Sequence, residues 1–254
     1  MIKFFVDKED IFENKIYLSS PEDRKHLTRV LRARVGDEVM ISDKEAFEYE
    51  TVIEEITESD VVLRITGKHE FSQEPETKIT LYQGVPKGPK LETVVQKTVE
   101  LGVKRIVPVF MSRTVVADKG NFSKKRDRLQ KIADEAVKQC KRGIIPEVAD
   151  AMSFKDMMEE LSEKNYDAIL VAYENEKGYS IKDALRGGAD THLKRGSSIA
   201  LIIGPEGGFE EDEVECIQDE FDRKACAVTL GKTILRTETA GMAAISMIMY
   251  ELEL

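Results

Sequence analysis

From residue 78 to the end of the chain, short apolar segments alternate with amphipathic helical patterns. Helical periodicity, with apolar residues three and four positions apart, occurs at 90–101, 124–142 and 238–252. Alternation of this kind is typical of an α/β domain built on a mainly parallel sheet. We therefore predict such a sheet, with strands at 78–83, 103–109, 166–173, 198–203 and 225–230.

The first seventy residues show a different pattern. Short apolar or alternating runs lie at 2–6, 38–41, 47–56 and 61–65, and one helix interrupts them. Ser20 and Pro21 are a typical helix cap and first helical residue, and Leu27, Val30 and Leu31 form the predicted buried stripe. Strands around one helix predict a small β-barrel. The polar segment 70–77 separates the two patterns, so we place the domains at 1–72 and 73–254.

Composition excludes several classes of protein. The chain has 254 residues and a net charge of −10, and its longest aliphatic run, Ile199–Ile203, is too short to span a membrane. Acidic residues begin at Asp7, which argues against a signal peptide. Three cysteines without a CxxC pair predict neither disulfides nor a zinc site. We expect a cytoplasmic protein without a bound metal.

The acidic total hides two basic segments. Residues 113–142 contain ten basic and four acidic residues, and residues 22–34 contain five basic and two acidic ones. A local basic surface can bind phosphate even on an acidic protein, because salt screens distant charges within about 10 Å. Solvated helix faces explain the same charge runs, so charge permits an RNA partner without identifying one.

A glycine-rich turn, Gly204-Pro205-Glu206-Gly207-Gly208, follows the predicted strand 198–203 and precedes a helix. Such a turn lets a ligand approach the backbone closely and leaves N–H groups free to bind it. A tight turn with a purely structural role has the same spacing. A second segment, 230–240, again runs from a strand through Gly231 to a helix start, where Arg236 and Glu238 flank Thr237. The charges of Arg236 and Glu238 are also explained by an exposed ion pair at the helix start, which would contribute little to stability.

Two common phosphate-binding motifs are absent. Gly231-Lys232-Thr233 resembles the end of a P-loop, but Cys226 occupies the position of that motif's first glycine. No GxGxxG follows any predicted strand, which disfavours a nucleotide-dependent oxidoreductase. The glycine segments therefore favour a ligand held by backbone amides and apolar side chains. On the predicted helix 124–142, a polar stripe is formed by Glu135, Gln139 and Arg142. This stripe is either ordinary solvent-exposed surface or part of a binding site.

The motifs together resemble a known family. IGPEGGF and LGKTILRTETA, preceded by KGPKLETVVQKTVELGVKRIVP and EAVKQCKR, are similar to the methyltransferases that modify N3 of a uridine in 16S ribosomal RNA. That family belongs to the SPOUT superfamily of knotted α/β proteins. Residues 26–39, HLTRVLRARVGDEV, resemble its N-terminal domain. The resemblance therefore covers nearly the whole chain.

The resemblance implies a PUA-like β-barrel for RNA binding at 1–72 and a SPOUT domain with a trefoil knot at 73–254. It also implies a homodimer, a 16S rRNA substrate and S-adenosylmethionine as the methyl donor. The residues that it assigns to the donor pocket are Tyr173, Leu201, Gly204, Pro205, Glu206, Gly207, Leu230, Gly231, Ile234, Leu235, Arg236 and Thr239.

Methylation of N3 requires the loss of a weakly acidic proton, so the site needs a base or a cation that stabilises the uracil anion. Our candidates are Arg236 for the cation and Glu206 or Glu238 for ordering the pocket or accepting the proton. Candidate RNA contacts are Arg24, His26, Arg29, Arg32, Arg113, Lys124, Lys125, Arg128, Glu135, Gln139 and Arg142. His26 is equally well explained as a packed helix residue. Alternatives are a SPOUT enzyme acting on the ribose 2′-hydroxyl or on tRNA, and a non-catalytic RNA-binding factor of ribosome assembly.

Overall fold

The computed structural model describes residues 3–71, 74–116, 122–187 and 193–254. The chain forms two compact units, Met1–Glu74 with Val137–Ile145, and Pro75–Ala136 with Pro146–Leu254. The predicted boundary between residues 72 and 73 lies outside the described residues. The N-terminal unit therefore includes the short segment 137–145, which is distant in sequence. The hydrophobic pattern along the chain does not predict this.

The N-terminal unit contains a six-stranded sheet, a short 3₁₀ turn at Lys8–Asp10 and a helix between the third and fourth strands, with the following bounds: β1 (Lys3–Phe5), β2 (Ile11–Phe12), β3 (Lys15–Leu18), α1 (Pro21–Lys25), β4 (Glu38–Ser42), β5 (Phe47–Ile56) and β6 (Val61–Glu70). The strand order is β1-β4-β5-β6-β3-β2; in the described strands the β1–β4 pair is parallel and the other pairs are antiparallel. Alternate residues of β5 point inward, so Tyr49, Thr51 and Ile53 are buried between exposed or half-buried neighbours. Residue 2 of the first predicted strand is not among the described residues.

The helix of this unit begins as predicted but continues differently. The Ser20 hydroxyl accepts a hydrogen bond from the Asp23 N–H at 3.4 Å, and Pro21 is the first helical residue. After Lys25 the chain widens into a π-helical turn, His26–Val30. The wider turn rotates later side chains around the axis. Leu27 is buried as predicted, whereas Val30 is 65% exposed, so its predicted burial is wrong.

The second unit alternates strands and helices as its periodicity predicts, with the following bounds: β7 (Lys78–Gly84), α2 (Lys90–Glu100), β8 (Arg105–Phe110), α3 (Phe122–Cys140), β9 (Glu147–Val148), β10 (Met152–Ser153), α4 (Phe154–Glu163), β11 (Ala168–Ala172), α5 (Ile181–Leu185), β12 (Ser198–Ile203), α6 (Glu211–Phe221), β13 (Ala225–Val228) and α7 (Thr237–Glu253). The end of α3 belongs to the N-terminal unit. Helix α4 is absent from our prediction, although the capping box of Ser153 and Asp156 marks its start.

The strand order of this second sheet is β10-β8-β7-β12-β11-β13, with β9 also paired to β8, and every pair is parallel. The predicted mixed α/β class with a largely parallel sheet is therefore confirmed. In the register, Ile203 at the end of β12 faces Gln83 of β7 and Ala172 of β11. Consequently, the loops that follow these strands leave the sheet at the same edge.

Helix α7 covers the middle of this sheet. It packs against α2, α5, β7 and β12. Its buried residues are Ala240, Gly241, Ala244, Ile245 and Ile248, together with Thr237, the first residue of the helix. Met247 and Tyr250, on its other side, are 36% and 72% exposed. The sequence of α7 is apolar nearly all round, but the described residues cover this helix on one side only.

Candidate functional site

The two glycine segments meet at the carboxyl edge of the parallel sheet, where open α/β folds bind ligands. The Thr237 hydroxyl donates to the Gly204 carbonyl at 2.6 Å and accepts from the Gln83 side-chain amide at 2.8 Å. Gln83 is fully buried and Thr237 is 6% exposed. Buried hydrogen bonds of this kind are costly to break because each orphaned partner stays desolvated. The start of α7 is thus fixed to the loop that follows β12.

Gly84 makes this meeting of the two segments possible. A Cβ atom at this position would lie 2.4 Å from the Pro205 nitrogen and 2.7 Å from the Gly204 carbonyl carbon. Both are backbone atoms, so no side-chain rotation relieves the overlap. The loop after β12 therefore packs directly on the end of β7. Gly84 is not among the predicted site residues, although a glycine at the end of a strand can indicate close approach of another backbone.

Glu206, in the first glycine segment, is held by two donors. Its Oε1 accepts from the Lys87 backbone N–H at 3.0 Å and from Lys90 Nζ at 2.9 Å. Burial of Glu206 raises its pKa, but the hydrogen bonds from Lys90 and Lys87 lower it by more, so its pKa lies below its usual range. Lys90 Nζ also lies 3.8 Å from Glu238 Oε2. That oxygen is buried and has no hydrogen-bond partner among the described residues.

Arg113 lies against the same glycine loop. Its guanidinium donates to the Gly207 carbonyl at 3.1 Å and to the Glu210 carboxylate at 2.8 Å. A Cβ atom on Gly207 would lie 2.9 Å from the Arg113 Cβ. Next to Arg113, the Ser112 N–H donates to Glu213, which is 6% exposed. We predicted Arg113 as an RNA contact, and in the structure its guanidinium binds the glycine loop.

The second glycine segment is more open. Gly231 has a φ of +143°, and a Cβ atom there would contact nothing within 4 Å. Ile234 is 82% exposed, and Leu230 and Leu235 are half-buried. Arg236 and Thr239 are exposed, and nothing among the described residues binds the Arg236 guanidinium. An uncovered apolar side chain beside a free cation is compatible with a ligand that has an apolar and an anionic part.

The remaining predicted pocket residues differ in position. Tyr173, directly after β11, packs edge-on against Phe209 with 6.2 Å between ring centroids. Its N–H donates to the Val228 carbonyl at 3.1 Å, so it lies level with the glycine segments. Leu201 is fully buried inside β12, two residues before the strand end. Tyr173 is therefore at the edge where the loops meet, and Leu201 contributes to the core beneath it.

The predicted RNA contacts of the N-terminal unit vary in availability. Arg29 and Arg32 are exposed. Arg24 donates to the Glu58 carbonyl, which ties its side chain to its own unit. His26 packs edge-on against Phe4 at 5.9 Å between centroids, which favours the interpretation as a packed residue.

On α3, Lys124 is exposed and Arg128 is 69% exposed while it donates to Glu92 at 3.0 Å. Lys125 lies over the Phe122 ring, with its Nζ 5.3 Å from the centroid. Burial lowers the pKa of Lys125. Lys124 is therefore the most available cation of this helix start.

The predicted polar stripe is wrong at its C-terminal end. Helix α3 ends at Cys140, and the positive φ of Lys141, 62°, turns the chain away before Arg142. Glu135 and Gln139 are exposed on the helix, whereas Arg142 is 6% exposed. Its Nη2 donates to Glu74 at 3.0 Å, and Glu74 also accepts the Gly143 N–H at 2.7 Å. This buried ion pair argues against Arg142 as an RNA contact.

Replacement of Arg142 by Met is expected to lower the free energy of unfolding by about 3 kcal/mol, because it leaves the Glu74 carboxylate buried and unpaired. Thermal or urea unfolding measures the loss. RNA affinity of the folded variant should match that of the wild type. A stable variant with weakened RNA binding would instead support Arg142 as an RNA contact.

Two other kinds of feature are absent from the part of the chain that the structure describes. Within these residues, no three His, Cys, Asp or Glu side chains lie together as metal ligands. No described helix is both long enough and apolar enough to cross a bilayer.

Comparisons with known proteins identify the family. Residues 72–249 match the model of an RNA methyltransferase domain, and residues 20–66 match an RNA methyltransferase PUA domain. The chain is 33% identical to the ribosomal RNA small subunit methyltransferase E of Bacillus subtilis, with 100% of this chain and 98% of the relative covered. The protein of the same name from Buchnera aphidicola is 31% identical, with 94% and 89% covered.

A solved structure agrees with these matches. The crystal structure of a ribosomal RNA small subunit methyltransferase E from Neisseria gonorrhoeae, bound to S-adenosyl methionine, has a TM-score of 0.80 and 26% identity, covering 99% of this chain and 98% of that one. These findings confirm the resemblance inferred from the glycine-containing motifs. The chain belongs to the ribosomal RNA small subunit methyltransferase E family of RNA methyltransferases.

Proposed function

We propose that this protein transfers a methyl group from S-adenosylmethionine to N3 of a uridine in 16S ribosomal RNA. Membership of the family supports an RNA methyltransferase that uses this donor. The observation on which the proposal chiefly rests is the buried link from Gln83 through Thr237 to Gly204, which joins both glycine segments at one edge of the sheet. Separated segments would be unable to form one pocket.

The residues present fit S-adenosylmethionine. Open space at Gly231, where an added Cβ would contact nothing within 4 Å, leaves main-chain groups accessible to a ligand. At Gly204 and Gly207 the protein's own atoms pack closely, which holds the loop after β12 in place. Pro205, Leu230, Ile234, Leu235 and Tyr173 provide apolar side chains around them, and Thr239 lies beyond Arg236 at the start of α7. When bound, the donor supplies a methyl group on a positively charged sulfur. We propose that these residues hold it, with Leu201 forming the floor from below.

Catalysis by this site rests mainly on positioning. Methyl transfer neutralises the sulfonium, so little new charge arises, and orientation of the reacting groups supplies effective molarities of about 10⁵ M or more. The N3 proton must leave the uracil. We propose that Arg236, exposed and unpaired among the described residues, stabilises the resulting anion.

Two carboxylates are candidates for the proton acceptor. Glu206 has a lowered pKa and accepts two hydrogen bonds at one oxygen, which suits it to ordering the loop. Glu238 Oε2 has no hydrogen-bond donor among the described residues. An oxygen that accepts no hydrogen bond, with the Lys90 ammonium 3.8 Å away, can take up a proton and suits a general base. We therefore favour Glu238 over Glu206 for accepting the proton.

RNA binding is proposed for the N-terminal unit and for the basic start of α3. Affinity should fall with salt at a log–log slope of about −0.7 for each phosphate contact in a single-stranded element. Joint replacement of the exposed residues Arg29, Arg32 and Lys124 by Gln should therefore make the slope shallower by about 2. Filter binding at several salt concentrations measures this. Lys155→Gln, which removes a lysine with an 85% exposed side chain on α4, is the control. A flat response of the wild type would contradict the proposal.

We further propose a trefoil knot, a closed N-terminal barrel and a homodimer. The chain leaves the edge strand β13 and returns to the middle of the sheet as α7, a path that supports threading. The exposed apolar residues Met247 and Tyr250 on α7, and Leu254 directly after it, support a second subunit covering this helix. A substrate in ribosomal RNA makes the cytoplasm the expected compartment.

The decisive experiment is to incubate the purified protein with labelled S-adenosylmethionine and unmodified small subunits, free 16S rRNA or tRNA. Mass spectrometry of nucleosides and fragments then maps the methyl group. We expect N3-methyluridine at one site in 16S rRNA. A 2′-O-methyl product or a tRNA product would identify a different acceptor, and binding of RNA without donor binding would identify a non-catalytic assembly factor.

A further inference from the structure

Lys90 occupies a junction between three parts of the second unit. It is the first residue of α2, and its Nζ donates to Glu206 at 2.9 Å and lies 3.8 Å from Glu238 Oε2. Glu206 belongs to the first glycine segment, 116 positions away, and Glu238 belongs to the first turn of α7. One cation therefore contacts both segments that form the proposed pocket.

The environment of this cluster makes the contacts stronger than surface ion pairs. The side chains of Lys90, Glu206 and Glu238 are 32%, 25% and 18% exposed. Partial burial weakens screening by water and salt, so each charge interacts more strongly with its neighbours. Without Lys90, two carboxylates would face each other across the pocket edge. Their repulsion would push the loop at 204–208 away from the start of α7.

We propose that Lys90 is a positioning residue of the methyl-donor site, which holds the two glycine segments together through Glu206 and Glu238. This inference rests on the proposed function. Lys90 does not contact the reacting atoms; it keeps the loop at 204–208 in the arrangement that binds the donor and neutralises one of two carboxylates there. The Lys87 N–H, which shares Glu206 Oε1, supports the same loop position.

The test compares Lys90→Met with Lys90→Arg and with Lys97→Met in the full-length protein. Lys97 is a matched control, because it lies on the same helix and pairs with Glu100 at 2.8 Å, about 10 Å further along the axis. Calorimetric titration with S-adenosylmethionine should give a dissociation constant raised about tenfold or more for Lys90→Met. Lys90→Arg, which keeps the charge, should recover most of the affinity, and Lys97→Met should match the wild type.

Amide hydrogen exchange of the protein without donor gives a second measurement that does not depend on activity. In Lys90→Met, exchange should accelerate in the segments 204–210 and 237–241 and remain unchanged in α4. A double variant with Glu206→Gln should lose little more affinity than either single variant, because both changes break the same contact.

Unchanged exchange and unchanged donor affinity in Lys90→Met would overturn the inference, as would full additivity with Glu206→Gln. Loss of RNA binding alone would also overturn it and make Lys90 a phosphate contact. A wild-type protein that fails to bind the donor would contradict the proposed function, while the exchange measurement would still decide whether Lys90 holds the two segments together.

Discussion

Replacement of Arg236 by Ala is expected to lower the turnover number by about 10²- to 10³-fold, while the dissociation constant of S-adenosylmethionine changes by less than about threefold. Arg236 precedes α7 as its capping residue and is exposed. Nothing among the described residues binds its guanidinium. Loss of an interaction that forms only with the anionic base reduces the rate without weakening donor binding.

Single-turnover kinetics with saturating donor and RNA measure the chemical step, and calorimetry measures donor binding. Lys232→Ala is the matched control, because it removes an exposed cation from the same loop. Arg236→Lys should keep part of the rate that Arg236→Ala loses, since lysine retains the charge but lacks the planar fork of arginine. Equal losses in turnover and donor affinity would show that Arg236 binds the donor instead.

The second large effect is expected for Gly84→Ala. The added Cβ would lie 2.4 Å from the Pro205 nitrogen, so the backbone of β7 and the loop after β12 must separate. Overpacking of this kind costs about 3 kcal/mol, which corresponds to a fall in melting temperature of about 6 to 12 °C. Donor binding should be lost as well, because the displaced loop includes Gly204 and Glu206.

Calorimetric melting and donor titration check both parts of this prediction. Gly178→Ala is the control, because the nearest atom to an added Cβ there is Glu176 Oε1 at 3.6 Å, an ordinary contact. A Gly84→Ala variant with an unchanged melting temperature and normal donor binding would show that the two segments need not approach as closely as the structure has them.

Local patterns were sufficient for most elements of the second unit. Strand β12 has the predicted bounds 198–203, and α2 and α7 begin and end within one residue of the prediction. These patterns succeed because burial of one helix face or one strand repeats at a period that neighbouring residues share. They fail where the period changes, as at the π-helical turn that exposes Val30, and where a helix ends early, as at Cys140 before Arg142.

The residues of the candidate site are likewise only partly predictable from the sequence. The motifs located Glu206, Arg236 and Glu238, because glycine turns at strand ends are visible in the sequence. The sequence does not reveal the importance of Lys90 or Gly84. Lys90 resembles an ordinary surface lysine, and Gly84 resembles an ordinary glycine at a strand end. Charge alone predicts Arg113 as an RNA contact; only the structure shows that its guanidinium donates to the Gly207 carbonyl and to Glu210.

The amino-acid sequence alone therefore specifies the α/β class, the positions of both glycine turns, the basic segments and the family. All of these depend on residues that are close together in the chain or on motifs in a fixed order. The tertiary structure alone establishes that Lys90 lies between Glu206 and Glu238 and that Thr237 binds Gly204. Those partners meet because β12 lies beside β7 in the sheet, a pairing between distant segments that local periodicity does not encode.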